Sequence, residues 1–190
     1  MMQANKKYQL LLDDTIIREG RKLYRIQALR DVRHSVEKGE VGGYVESEAN
    51  LSQEGTCWLF DDACAYENGR VEGDAMLSGH ATLRGKAKLI EEAMVFGHAI
   101  VEGEATVGEE SVLRDQVVVG GKAVVKGRVR LTECVHVGEN AHVEGDPKGI
   151  SLVLVGTTMI MGNTVIQGQG TFSEEEAILE GGLFTLRGKA

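Results

Sequence analysis

His80 and His98 stand 18 residues apart, and Asp62 stands the same distance before His80. Imidazole and carboxylate are the residue types of general acid–base chemistry, provided a fold brings them within hydrogen-bond reach. What matters, then, is the period of the backbone between them. The other histidines, His34, His136 and His142, fall outside that spacing. Three cysteines, Cys57, Cys64 and Cys134, are odd in number and lack paired metal-ligand spacing, which reads as small residues in a reducing compartment.

The period is six. From Ala75 the chain reads AMLSGH, ATLRGK, AKLIEE, AMVFGH and onward for twelve hexads, with Leu or Val at every third position and Ala, Ser or Val at every first. The fifth position is Gly in seven of the twelve. The same phase extends back to Val45, so 17 hexads cover 45–146. It breaks at Pro147–Ser151, which holds the only proline, and resumes from Leu152 for six hexads. Glycine at that frequency would cost a helix about 1 kcal/mol each time. Short strands fit instead, with aliphatic side chains inward, polar ones outward and glycine corners at positive φ. Three such strands make a coil of 18 residues, so Asp62, His80 and His98 stack at one corner about 4.8 Å apart.

This pattern resembles the hexapeptide repeat of left-handed parallel β-helices, the known exception to right-handed parallel connections. The implied fold is all-β: about eight coils over 45–190, a short loop at 147–151 and an N-terminal cap over 1–44. Within the cap, 15–29 reads as two strands around Glu19-Gly20, a hairpin signal. Residues 42–65, "GGYVESEANLSQEGTCWLFDDACA", are similar to the entry segment of YdcK-type and prophage-borne hexapeptide proteins, which carry a transferase label from their fold alone.

The resemblance implies chemistry at the histidine corner. Acyltransferases of this fold use an intersubunit histidine as general base on the acceptor, which points to His80 or His98 with Asp62 as the orienting carboxylate. His136 and His142 are the second pair. The zinc sites of γ-type carbonic anhydrases have a histidine spacing that this chain does not match, so no metal is expected. Many such acyltransferases carry a C-terminal helical extension, which is not expected here, since only Gly188, Lys189 and Ala190 follow the hexad GLFTLR.

Arithmetic modulo 18 places Trp58, Phe60, Met76, Met94, Phe96 and Val112 on one outer face, an apolar stripe expected to be a contact surface. Left-handed β-helices commonly assemble as trimers, so the expectation is a homotrimer, with a stripe-to-stripe dimer as the alternative. A corner of Asp74, Glu92 and Glu110 lacks the turn pattern of a calcium loop and reads as solvated.

The 190 residues carry a net charge of −8, which argues against a nucleic-acid partner. The alternating Lys86, Glu104, Lys122 ladder argues against a nucleic-acid mimic. An N-terminal apolar run is soon broken by Asp13 and Asp14, so neither a membrane span nor a secretory signal is expected and the location reads as cytoplasmic. The reading is a non-catalytic oligomeric binding protein that engages a protein or small ligand through its outer faces or subunit boundaries, with no cofactor. The prophage resemblance implies a host protein or a nucleotide signal as partner. The alternative is an acyltransferase using acyl-CoA.

Overall fold

The structure, a computed structural model, describes residues 6–33 and 35–187, apart from the side chains of 174–176; His34 lies outside the described residues. It is an all-β parallel solenoid of about 8 turns, with an antiparallel hairpin at its N-terminal end. The hexad explains the strands. One coil is made of Met76–Leu77, Thr82–Leu83 and Lys88–Leu89, each only two residues long. Met94 pairs in parallel with Met76 on one side and Val112 on the other, so the register step is 18 residues. The bonds between coils run along the stack, as from the Met76 amide to the Ala93 carbonyl at 2.9 Å.

Third positions fill the bore. Leu77, Val95, Leu113 and Leu131 are fully buried, as are the first-position residues Ala75, Ala93 and Ser111. Burying each large aliphatic side chain contributes roughly 1.5–3 kcal/mol, and small residues at the first position let the chain turn inside the corner. From Asp61 to Glu139 every fifth position adopts left-handed backbone. Where it is not glycine in that stretch it is Asp or Glu: Asp61, Glu67, Glu91, Glu109, Asp115, Glu133 and Glu139 all have φ between 53° and 63°. Five of these carboxylates accept the backbone N–H of the corner residue one coil further on. These are Asp61 from Gly79, Glu67 from Gly85, Glu91 from Glu109, Asp115 from Glu133 and Glu139 from Gly162. The acidic side chain thus satisfies an amide that would otherwise face solvent, which offsets the strain of positive φ on a non-glycine residue.

The period breaks where the hexads do. Arg130 pairs with Val153, His136 with Met159 and His142 with Val165, a step of 23, so five residues loop out at 147–151. The following strand, Leu152–Met161, runs across two faces; its first half pairs at the 18-residue step, Leu152 opposite Gly170, and past a bulge at Gly156 its second half pairs at 19, Met159 opposite Ile178.

At the other end β1 (Tyr8–Arg18) and β2 (Arg21–Ala28) form the hairpin around Glu19-Gly20, both at positive φ. β2 pairs with β3 (Val41–Val45), which lies parallel to Cys64–Ala65. The hairpin does more than cap the bore with Tyr8 and Ile26. Its Ile16 and Leu23 also fold over the outside of the solenoid, against Tyr44, Cys64 and Tyr66, as a small second core.

Candidate functional site

The hairpin tip ends above the face that carries Thr82 and Ile100. Between them lies a groove of about 540 Å³, walled by Ile17, Arg18 and Glu19 from the tip and floored by Tyr66, Thr82, Arg84 and Ile100, with His80 and His98 along one edge. The two imidazoles are stacked, with centroids 5.1 Å apart and planes 18° from parallel. Their spacing follows from the fold. Both occupy the sixth hexad position, and their amides bond to the Gly97 and Asp115 carbonyls at 2.8 Å, so the rings sit one coil apart.

Arg84 holds the tip to the solenoid. Its guanidinium donates to Glu102 at 2.9 Å and 2.6 Å and to Glu19 at the hairpin turn. The hydrogen bond to Glu102 chiefly holds its pKa above the ordinary arginine value, so the groove keeps a fixed cation at any working pH. Burial pushes the neighbouring Tyr66 phenol up, so it enters the groove as a neutral hydroxyl.

Asp62 does not join the histidines as expected. Its carboxylate accepts from Arg25 at 3.2 Å, and Arg25 in turn bonds Asp14 at 3.0 Å and the Tyr44 hydroxyl at 2.6 Å. Asp62 therefore belongs to the network that pins β1 and β2. Its neighbour Asp61 is the carboxylate that lies by His80, and it is committed to Ser78 Oγ at 2.7 Å and the Gly79 amide at 2.9 Å. Those two hydrogen bonds hold its pKa below the usual aspartate range, with the His80 charge a smaller cause. Neither imidazole hydrogen-bonds to another described residue. His136 lies beside Met159 on the groove's own face further along the stack, whereas His142 is on another face, 3.3 Å from Glu144, so the second histidine pair is not brought together.

The expected stripe is altered at its start. Trp58 is only 1% exposed, because the N-terminal segment covers it with the Tyr8 ring edge-on at 6.3 Å. It packs within the chain and offers no outer surface. Phe60 is half-buried against the main core, whereas Met76, Met94, Phe96 and Val112 remain partly open. Two segments overhang this face: Asp31, Val32, Arg33, Ser35 and Glu37 form a groove with Met76, and Gly149–Ser151 forms another with Met94 and Val112. Among the described residues no cluster of three or more His, Cys, Asp or Glu is placed to hold a metal ion. Among them, no helix is long and apolar enough to cross a membrane.

The hexad spacing located His80 and His98, but Arg18 and Glu19 had no local signal. They reach the site through a hairpin docked by Glu46, Asp62 and Arg84, which stand 25, 37 and 65 positions from their partners on it. Arg84 and Glu102, 18 residues apart with opposite charge, were the one further clue that the periodicity carried.

No family model matches the chain. A curated Escherichia coli (strain K12) protein does. That protein, the uncharacterized acetyltransferase YdcK, is 34% identical over 65 residues, which cover 34% of this chain and 20% of its own length. The chain thus spans about a fifth of the relative it matches.

Proposed function

We propose that this solenoid is a non-catalytic binding protein whose small ligand sits in the hairpin groove. The observation that carries the reading is the stacked His80–His98 pair beside a fixed guanidinium, with no hydrogen bond from another described residue orienting either ring. A general base needs a partner that fixes its tautomer and aims its lone pair, and here the nearby carboxylates are bound elsewhere. A recognition surface has no such requirement. Two imidazole edges, the Thr82 hydroxyl and the Arg18 guanidinium supply donors, while Ile17 and Ile100 supply apolar walls. That set suits a small anionic molecule with an apolar part. The open stripe from Met76 to Val112 supports a second copy against the neighbouring face, and the homotrimer remains the preferred assembly.

Acyl transfer from acyl-CoA is the second reading, favoured by the acetyltransferase name of the YdcK relative. The two part on substitution. His80→Ala and His98→Ala each weaken ligand binding by about tenfold if each ring loses one hydrogen bond. In the binding reading neither changes acetyl-CoA consumption. A loss of coenzyme A release of 100-fold or more on either substitution, with fold intact, establishes a proton-transfer role and the acyltransferase reading.

A further inference from the structure

Lys7 is fully buried, and among the described residues no carboxylate bonds to it. Its Nζ donates to the Glu54 carbonyl at 3.2 Å and the Cys57 carbonyl at 2.9 Å, and lies 3.1 Å from Cys57 Sγ. Cys57 is likewise fully buried, so amine and thiol face each other out of water. The backbone holds them there. The Lys7 amide donates to Gln53 at 2.8 Å and its carbonyl accepts from Leu29 at 2.9 Å, so both sides of the residue are tied to the first coil and the cap.

Lysine is among the residues least often fully buried, and a carboxylate is its usual companion when it is. Here the companion is a thiol. We propose that Lys7 and Cys57 form an oxidisable pair that closes, on exposure to a peroxide, into a covalent nitrogen–sulfur cross-link between the N-terminal strand and the first coil. Hydrogen peroxide first converts the thiol to a sulfenic acid and releases one water. The Lys7 amine then attacks the sulfenic sulfur: the N–S bond forms, the S–O bond breaks, and the hydroxyl leaves as water with a proton from the nitrogen. Overall one thiol, one amine and one peroxide give one sulfenamide and two waters. Sulfur gives up two electrons and the peroxide oxygens take them.

Burial favours the second step because it depresses the lysine pKa and so supplies neutral amine, with the thiol as a weaker opposing influence. It also slows the first step, since peroxide must enter through local opening of the strand. The exposed Cys134 therefore reacts before Cys57. Once formed, the link joins positions 50 residues apart and fixes the open end of the hairpin, opposite the tip that frames the groove. Excess thiol attacks the sulfur and returns free lysine.

The test is peptide mapping of the intact wild-type chain after peroxide treatment, with a protease that cuts at glutamate. The expected product joins the peptide containing Lys7 to the one containing Cys57, two hydrogens lighter than their sum, and it disappears after dithiothreitol. In Lys7→Arg, which keeps the cation and removes the nucleophile, Cys57 is expected to go on to sulfinic acid. Recovery of wild-type Cys57 as sulfinic acid or as unmodified thiol, with Cys134 oxidised and no linked peptide, overturns the proposal without depending on any variant folding.

Discussion

Replacing Glu91 and Glu109 separately by glycine tests why the corners of this solenoid are acidic. Both residues hold left-handed backbone, at φ 58° and 53°. Glycine removes a steric penalty of roughly 1–2 kcal/mol at either place and returns about 0.5–1 kcal/mol of it as unfolded-chain entropy. On backbone grounds each variant should gain about 0.5–1 kcal/mol. The side chains differ. Glu91 Oε2 accepts the Glu109 amide at 2.6 Å, while the Glu109 carboxylate takes no comparable bond among the described residues. A hydrogen bond to a charged group contributes about 1.5–3 kcal/mol, and an exposed one belongs at the low end. Glu109→Gly should therefore stabilise by about 0.5–1 kcal/mol and Glu91→Gly destabilise by a similar amount. The difference between them, about 1.5 kcal/mol, is the hydrogen bond itself. Urea unfolding followed by circular dichroism reads it as two midpoints moving in opposite directions. Equal shifts would show that the stacked carboxylate contributes nothing and that acidic corners reflect solubility alone.

Three further outcomes are expected. Leu77→Ala, in the fully buried bore, should cost about 2–5 kcal/mol, and a loss under 1 kcal/mol would mean that the coil collapses around the vacancy. Asp61 and Asp74 have pKa values depressed by hydrogen bonds, chiefly from Ser78 and Thr56, so their contribution is complete above the ordinary aspartate value and is lost as pH falls through the depressed one. Stability should hold steady down to about pH 4 and fall below it, less steeply in Asp61→Asn; a fall already complete at pH 5 contradicts this. Substituting Met76 and Met94 together by Glu should give a smaller species by light scattering, because like charges would enter the contact; an unchanged native mass removes the stripe as the interface.

Much of the fold was legible because one rule repeats. Leu or Val at every third position and a small residue at every first define an inside, and six residues per side define the corner. Pro147 marked the break, and the pairing step of 23 across it confirms that five residues leave the stack. The corner amide bonds were not legible. That Glu91 and Asp115 stand where Gly79 and Gly97 do looks like degeneracy until the carboxylates are seen to reach the next coil. The site was half legible for a similar reason. Periodicity stacks His80 on His98, but it cannot say that Arg25 takes Asp62 or that Tyr8 covers Trp58, because both partners come from the non-repeating cap.

The most direct measurement of the central claim is native mass spectrometry of the purified chain beside the His80→Ala/His98→Ala double variant. A binding groove predicts a non-covalent small-molecule adduct on the wild type, other than coenzyme A, that is lost from the folded double variant. Identical spectra from the two proteins, or an adduct identified as coenzyme A or its acyl derivative, would contradict it.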